Sequence, residues 1–188
     1  MILEGIVTTR DSTGELNVAP MGPILDESVS RLVLRPFKTS QTYANLKLAP
    51  YGVFHVVDDV LLLARAAIGR LCETPPTFPA ETISGAVLSQ CCRWYEFEVR
   101  EFDDSQERAE LRAQVVHAGR LRDFFGFNRA KHAVLEAAIL ATRVHLLPRP
   151  EIEAELKRLK PLVTKTGGPA ESEAFAILEQ FIHDAPKN

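Results

Sequence analysis

The chain has 188 residues, 46% hydrophobic and 25% charged, with a formal net charge of −3. That composition excludes disordered and fibrous classes, and the length suffices for a core that needs neither disulfides nor metals. Residues 1–100 carry 9 basic and 11 acidic side chains and residues 101–188 carry 13 and 14, so neither half has the basic excess that duplex DNA or an anionic membrane requires.

Met1-Ile-Leu-Glu-Gly-Ile places an acid at position 4 and has no basic stretch, which argues against a signal peptide. Leu3 to Thr9 reads as a strand, followed by the turn-rich Arg10-Asp-Ser-Thr-Gly14 and a second strand, Leu16 to Ala19, making a hairpin. Pro20 and Pro23 are expected to end it, because proline cannot donate to a ladder. Arg31 to Arg35 alternates as a third strand and Gly52 to Val57 is a fourth. Between them, Thr42 to Leu48 predicts a short helix stopped by Pro50.

Asp58-Asp59 can cap a helix reaching about Ile68. Its apolar stretch, Val60 to Ala67, is broken by Arg65 and is too short to span a bilayer. Pro75, Pro76 and Pro79 mark an irregular connection. Tyr95, Phe97 and Val99 alternate with Glu96, Glu98 and Arg100 in a half-buried strand. A polar loop, Asp103 to Glu110, leads to a sixth strand around Gln114 to His117.

After Gly126 the period becomes helical. Asn128 can cap a helix to about Arg143, a second runs from Pro148 or Pro150 to about Leu159, and a third from Glu171 to His183. The expected class is α+β, a mostly antiparallel β-domain over residues 1–126 followed by a helical region over 127–188. Of the three cysteines, Cys91 and Cys92 are adjacent and strain a mutual bridge, and Cys72 leaves the count odd. A reducing, cytoplasmic setting is the simplest expectation.

No Gly-x-Gly-x-x-Gly, Walker-type loop, Cys-x-x-Cys, His-Glu-x-x-His or Gly-x-Ser-x-Gly occurs in the sequence. Rossmann, P-loop, zinc and serine-hydrolase chemistry therefore have no framework, and no metal is expected. What stands out is Arg35-Pro-Phe-Lys38-Thr39-Ser40-Gln-Thr42, with two cations, three hydroxyls and a helix start. These are the parts a phosphate monoester needs; equally, Ser40 or Thr42 could simply cap the helix above solvated cations.

A second basic cluster lies between His117 and Arg149, where six cations face Asp123 and Glu136. Arg129, His132 and Glu136 share one helical face there, as a site or as a solvated surface. His55, in an apolar strand, reads as a hydrogen-bonded structural histidine. Phe124, Phe125 and Phe127 could stack on a planar ring or serve a core or interface, and Trp94 could cover a strand edge or a partner. Cys91 and Cys92 read as buried, inert thiols.

In order and spacing these segments resemble the FMN-binding split-barrel superfamily, which includes the pyridoxamine-phosphate-oxidase-like proteins and the flavin reductases. The resemblance rests on Ile6-Val-Thr-Thr-Arg-Asp-Ser-Thr-Gly14 through Asn17-Val-Ala-Pro20, Leu32-Val-Leu-Arg35, Lys38-Thr-Ser-Gln-Thr42-Tyr-Ala-Asn45-Leu46 and Gly52-Val-Phe-His-Val-Val. The segment from Phe127-Asn-Arg-Ala-Lys-His132 to Glu136 is most similar to a family of uncharacterised flavin-binding proteins with added C-terminal helices. The resemblance implies a six-stranded split barrel binding FMN, with the phosphate on Arg35, Lys38, Thr39, Ser40 and Thr42. Asn45 would orient the loop and the backbone of Ala19, Pro20 and Met21 would edge the flavin ring. Asn128, Arg129 and His132 would complete the site, in cis or from a second subunit of a homodimer. It further implies an FMN-dependent oxidoreductase using a nicotinamide or other electron donor, the competing class being a non-catalytic flavin carrier or assembly partner.

Overall fold

The computed structural model describes residues 1–186. In chain order the elements are β1 (Gly5–Arg10), β2 (Leu16–Met21), β3 (Ile24–Leu25), β4 (Arg31–Leu34), α1 (Gln41–Leu48) and β5 (Tyr51–Val56). Then come α2 (Val60–Ala67), β6 (Thr77–Pro79), β7 (Ala86–Leu88), β8 (Arg93–Asp103) and β9 (Glu110–Arg120). Three helices follow: α3 (Arg129–Ala141), α4 (Arg149–Thr166) and α5 (Pro169–Asp184). The chain folds into two compact units, Met1–Val57 with Glu73–Phe124, and Asp58–Cys72 with the chain from Phe125 onward.

The first unit is built on a seven-stranded antiparallel sheet in the order β2-β1-β5-β8-β9-β4-β3. Its first hairpin turns on Asp11, whose Oδ1 accepts the N–H groups of Thr13 and Glu15 and the Thr13 hydroxyl. Gly14, at φ 88°, supplies the left-handed residue that the return needs. The sheet curls until its ends meet: Ile2 bridges to Ile24, and Leu25 N–H donates to Met1 O at 2.8 Å. Leu32, Leu34, Leu46, Phe54, Phe97 and Leu111 fill the interior.

The structure differs from the pattern-based expectation in three places within this unit. β2 continues through Pro20, paired with Ile6, to Met21. Being the outermost strand, it requires no donor from Pro20 on its free side. The two-residue β3 makes seven strands instead of six, because a pair that short carries no periodic signal. The proline-rich connection also forms a separate two-stranded sheet, β6–β7.

The second unit is a helical bundle. α3 contributes Ala130, Ala133, Val134, Ala137, Ala138 and Ala141, against which Leu63, Ile152, Leu159, Phe175 and Leu178 pack. Small side chains on α3 let its neighbours approach closely. α2, capped by Asp59 through Leu61 and Leu62 N–H at 3.0 Å, belongs to this bundle. A cut after residue 126 therefore separates α2 from the helices it packs on.

α4 runs past the expected stop at Leu159, straight through Pro161. An interior proline costs about 3 kcal/mol, but continuing the helix buries Val163 beside Leu159, each side chain being worth about 1.5–3 kcal/mol. Among the described residues no helix is long and apolar enough to cross a membrane.

Candidate functional site

The segment leaving β4 is built to expose cations. Leu32 and Leu34 point into the barrel, so the alternation turns Arg31 and Arg35 outward. Pro36 is buried and its carbonyl accepts Ala109 N–H at 3.1 Å, anchoring the segment to the approach of β9. The chain then turns sharply. Phe37 O accepts both the N–H of Ser40 at 2.9 Å and its hydroxyl at 2.7 Å.

Ser40 is the N-cap of α1, with Oγ accepting Tyr43 N–H at 3.2 Å. The remaining leading N–H groups of a helix lack intrahelical acceptors, and the first turn of α1 holds no acid. Arg35, Lys38 and Thr39 are exposed around this turn. Neither cation forms a salt bridge among the described residues, although Lys38 contributes to the field at Asp104.

Thr42 and Asn45 sit differently from the other loop residues. Both are buried. Thr42 Oγ1 accepts from Asn17 Nδ2 at 3.0 Å, while Asn45 Nδ2 donates to Thr9 Oγ1 at 3.0 Å and its Oδ1 accepts from Gln41 Nε2 at 2.6 Å. Asn17 also reaches Thr9 Oγ1, at 3.2 Å. This network fastens α1 onto β1 and β2 and so fixes the position of the turn.

Two contributors to the same turn come from the β8–β9 hairpin, which sequence reading treats as a polar loop. Asp104 accepts from Tyr43 Oη at 2.9 Å and Lys47 Nζ at 3.0 Å. These bonds, with the charge of Lys47, hold its carboxyl below the ordinary range. Arg108 lies opposite Phe37 in an antiparallel bridge, its guanidinium carbon 4.0 Å from the ring centroid. No local motif could have found either; only strand pairing brings residues so distant in sequence together.

Ala19, Pro20 and Met21 are half-exposed on the outermost strand, which pairs with β1 on one side and leaves outward-facing backbone groups on the other. Asn128, Arg129 and His132 lie in the helical unit. Asn128 caps α3 by accepting Lys131 N–H at 3.1 Å and donates to Thr166 O at 3.1 Å, so its side chain is engaged. Arg129 and His132 are exposed, and His132 meets Phe127 edge-on at 6.0 Å between centroids.

Several residues with chemical potential are structural. His55 is fully buried; its Nδ1 faces Ile6 O at 3.1 Å and its Nε2 accepts Leu88 N–H at 3.1 Å. An acceptor on one side and a donor on the other fix the neutral tautomer protonated at Nδ1. Burial pushes its pKa down to about 4.

Glu96, on the charged face of its strand, is nevertheless buried. The connection between β6 and β7 covers it. Its carboxylate accepts Glu81 N–H, Thr82 N–H and hydroxyl, and Trp94 Nε1 at 2.7–3.2 Å. Burial alone would raise its pKa, but these bonds together lower it. Trp94 is 6% exposed and packs over Gly119 and against Phe78, so it covers no partner surface. Cys91 and Cys92 are buried, and burial raises the Cys91 thiol to about 11.

The first unit also contains a cavity of about 280 Å³ edged by Thr8, Thr9, Arg10, Tyr51, Gly52 and Ser84. The cationic turn does not line it. Among the described residues no group of three or more His, Cys, Asp or Glu side chains could hold a metal.

A curled antiparallel sheet with a cationic strand-to-helix turn, followed in sequence by C-terminal helices, defines a split-barrel protein with a helical extension. Residues 3–122 match the N-terminal domain model, and residues 128–180 the second model, of a family described as protein of unknown function DUF447. The chain belongs to that family. It is similar over its full length to the FMN-bound protein of Methanosarcina mazei, at 26% identity and a TM-score of 0.82, covering 96% of this chain and 94% of that one.

The barrel fold recurs in more distant structures. A 2-nitrobenzoate 2-nitroreductase of Pseudomonas fluorescens is 16% identical at a TM-score of 0.54, with 63% of this chain and 64% of that one covered. An FMN-binding protein of Thermus thermophilus is 15% identical at 0.54, with 66% and 75% covered. No curated protein matches the chain.

Proposed function

We propose that the chain binds FMN on its first unit and works as a flavin-dependent oxidoreductase. The observation that carries this reading is the turn from Arg35 to Ser40. It presents two cations without a salt-bridge partner at a capped helix start, in a chain similar throughout its length to an FMN-bound protein. The donor set suits a phosphate monoester: Arg35 would offer its guanidinium fork, Lys38 a point charge, and Thr39, Ser40 and the α1 N–H groups further donors. Thr42 and Asn45 hold the helix through Thr9 and Asn17 and thereby set the loop.

When bound, FMN supplies hydride and electron transfer at its ring system. The ring would lie along the Ala19–Met21 edge, where backbone groups of an outer strand can hydrogen-bond its polar rim. Arg129 and His132 keep exposed side chains that suit a contribution to a second copy in a homodimer. A nicotinamide donor would stack on the flavin directly, requiring no Rossmann fold.

The test starts from the absorption spectrum of purified protein, with mass spectrometry of the released chromophore. FMN is expected. Anaerobic NADH or NADPH should then bleach the loaded protein rapidly. Binding without bleaching by either nucleotide would overturn the nicotinamide-dependent role and favour a carrier; failure to take up added FMN would overturn the whole reading.

A further inference from the structure

We propose that Arg108 is a phosphate-binding residue of this site, delivered by the β8–β9 hairpin and held ready by the Phe37 ring. The inference rests on the FMN reading above and extends it to a residue outside the strand-to-helix turn.

The hairpin tip is fastened beside the turn at three points. Asp104 accepts from Tyr43 and Lys47 of α1, Ala109 N–H donates to Pro36 O at 3.1 Å, and Arg108 bridges Phe37. Phe37 is itself part of the turn, because its carbonyl takes both bonds from Ser40. A group held over Phe37 is thus fixed relative to the helix start, not merely near it.

Arg108 is that group. Its guanidinium carbon stands over the ring, 4.0 Å from the centroid, well within cation–π range. A cation–π contact uses the charge of the guanidinium and not its five N–H donors, which remain for an anion. Acidic neighbours are present on the hairpin, yet Asp103 binds Ser105 N–H, Asp104 is committed to α1, and Glu110 pairs with Arg112. Glu107 is exposed and forms no salt bridge with Arg108. Among the described residues, Arg108 has neither a hydrogen bond nor a salt bridge.

Arg35, Lys38 and Arg108 are therefore brought to one turn by two chain segments. Among the described residues none of them forms a salt bridge, Asp104 acting on Lys38 only through its field. Such an arrangement repels itself and is relieved by a dianion, which a terminal phosphate provides and an internal diphosphate ester provides less compactly. Restricting Arg108 against Phe37 also reduces the side-chain entropy lost on binding.

Titrations of flavin fluorescence with FMN and riboflavin, on the full chain, test this. Arg108→Ala should weaken FMN about tenfold or more and leave riboflavin within about twofold. Arg108→Lys, which keeps the charge but loses the planar donor fork, should fall between. Phe37→Leu should weaken FMN with the charge still present. Circular dichroism and melting should match the wild type. Unchanged FMN affinity in folded Arg108→Ala, or an equal loss for riboflavin, overturns the assignment. Wild-type protein that binds FMN no better than riboflavin would instead overturn the phosphate site as a whole, so the two failures are distinguishable.

Discussion

Leu88 donates its backbone N–H to His55 Nε2 across 3.1 Å, while the opposite ring nitrogen meets Ile6 O. One imidazole thus ties β7 to β5 and β1 inside the first unit, and burial holds its pKa at about 4 against an ordinary 6.5. Between those values the unfolded chain binds the proton and the native protein does not. Stability should therefore be full above pH 6.5 and fall as pH drops toward 4, by about 2 kcal/mol between pH 7 and 5. Urea midpoints at the two pH values will measure it. A His55→Gln variant should be less stable at pH 7 and lose much less on acidification; parallel losses would place the dependence elsewhere.

Glu96→Gln should loosen the small β6–β7 sheet. The carboxylate accepts four hydrogen bonds, from Glu81, Thr82 twice and Trp94. An amide would set its NH₂ against at least one of these donors, leaving buried groups unpaired at a cost of about 1–3 kcal/mol. Amide hydrogen exchange at Glu81 and Thr82 should accelerate more than exchange in β1 or β5. The lowered pKa of Glu96 adds an acid loss confined below the ordinary glutamate range, a lower window than that of His55.

Arg35→Ala should weaken FMN about 10- to 150-fold while hardly moving riboflavin, because the guanidinium binds the group that riboflavin lacks. Wild-type protein should also prefer FMN to FAD in competitive titration, since a turn enclosing a terminal phosphate has little room for an attached adenylate. Equal weakening of both ligands by Arg35→Ala would assign the residue to barrel support.

Homodimerisation should appear in sedimentation of the FMN-loaded protein as twice the mass of one chain. The argument differs from the one that sequence suggests, because Trp94 is already covered within its own unit. It rests on the outer strands and on the exposed aromatics of the 124–127 segment, of which Phe127 is 96% exposed. A monomer at all micromolar concentrations would count against it.

Periodicity was enough to locate β4 and the three C-terminal helices, because each buries one face and its apolar spacing records which. β1 and β5, buried along both faces, were instead legible as short runs rich in β-branched residues, and α1 from its stop at Pro50. The Ser40 and Asn128 caps were legible for a similar reason: a cap satisfies N–H groups two or three residues away, so its chemistry is local. The cationic turn could be recognised from its order of residues, but sequence could not separate the exposed Arg35 and Lys38 from the buried Thr42 and Asn45. That division depends on Thr9 and Asn17, brought in by another hairpin. Glu96 looked solvated because alternation assigns a strand face, not what covers that face. The seats of Asp104 and Arg108 beside α1 and Phe37 likewise follow from the pairing of β9 with β4. Local chemistry fixes caps, turns and apolar faces, whereas contacts between residues distant in the chain exist only once the sheet has closed.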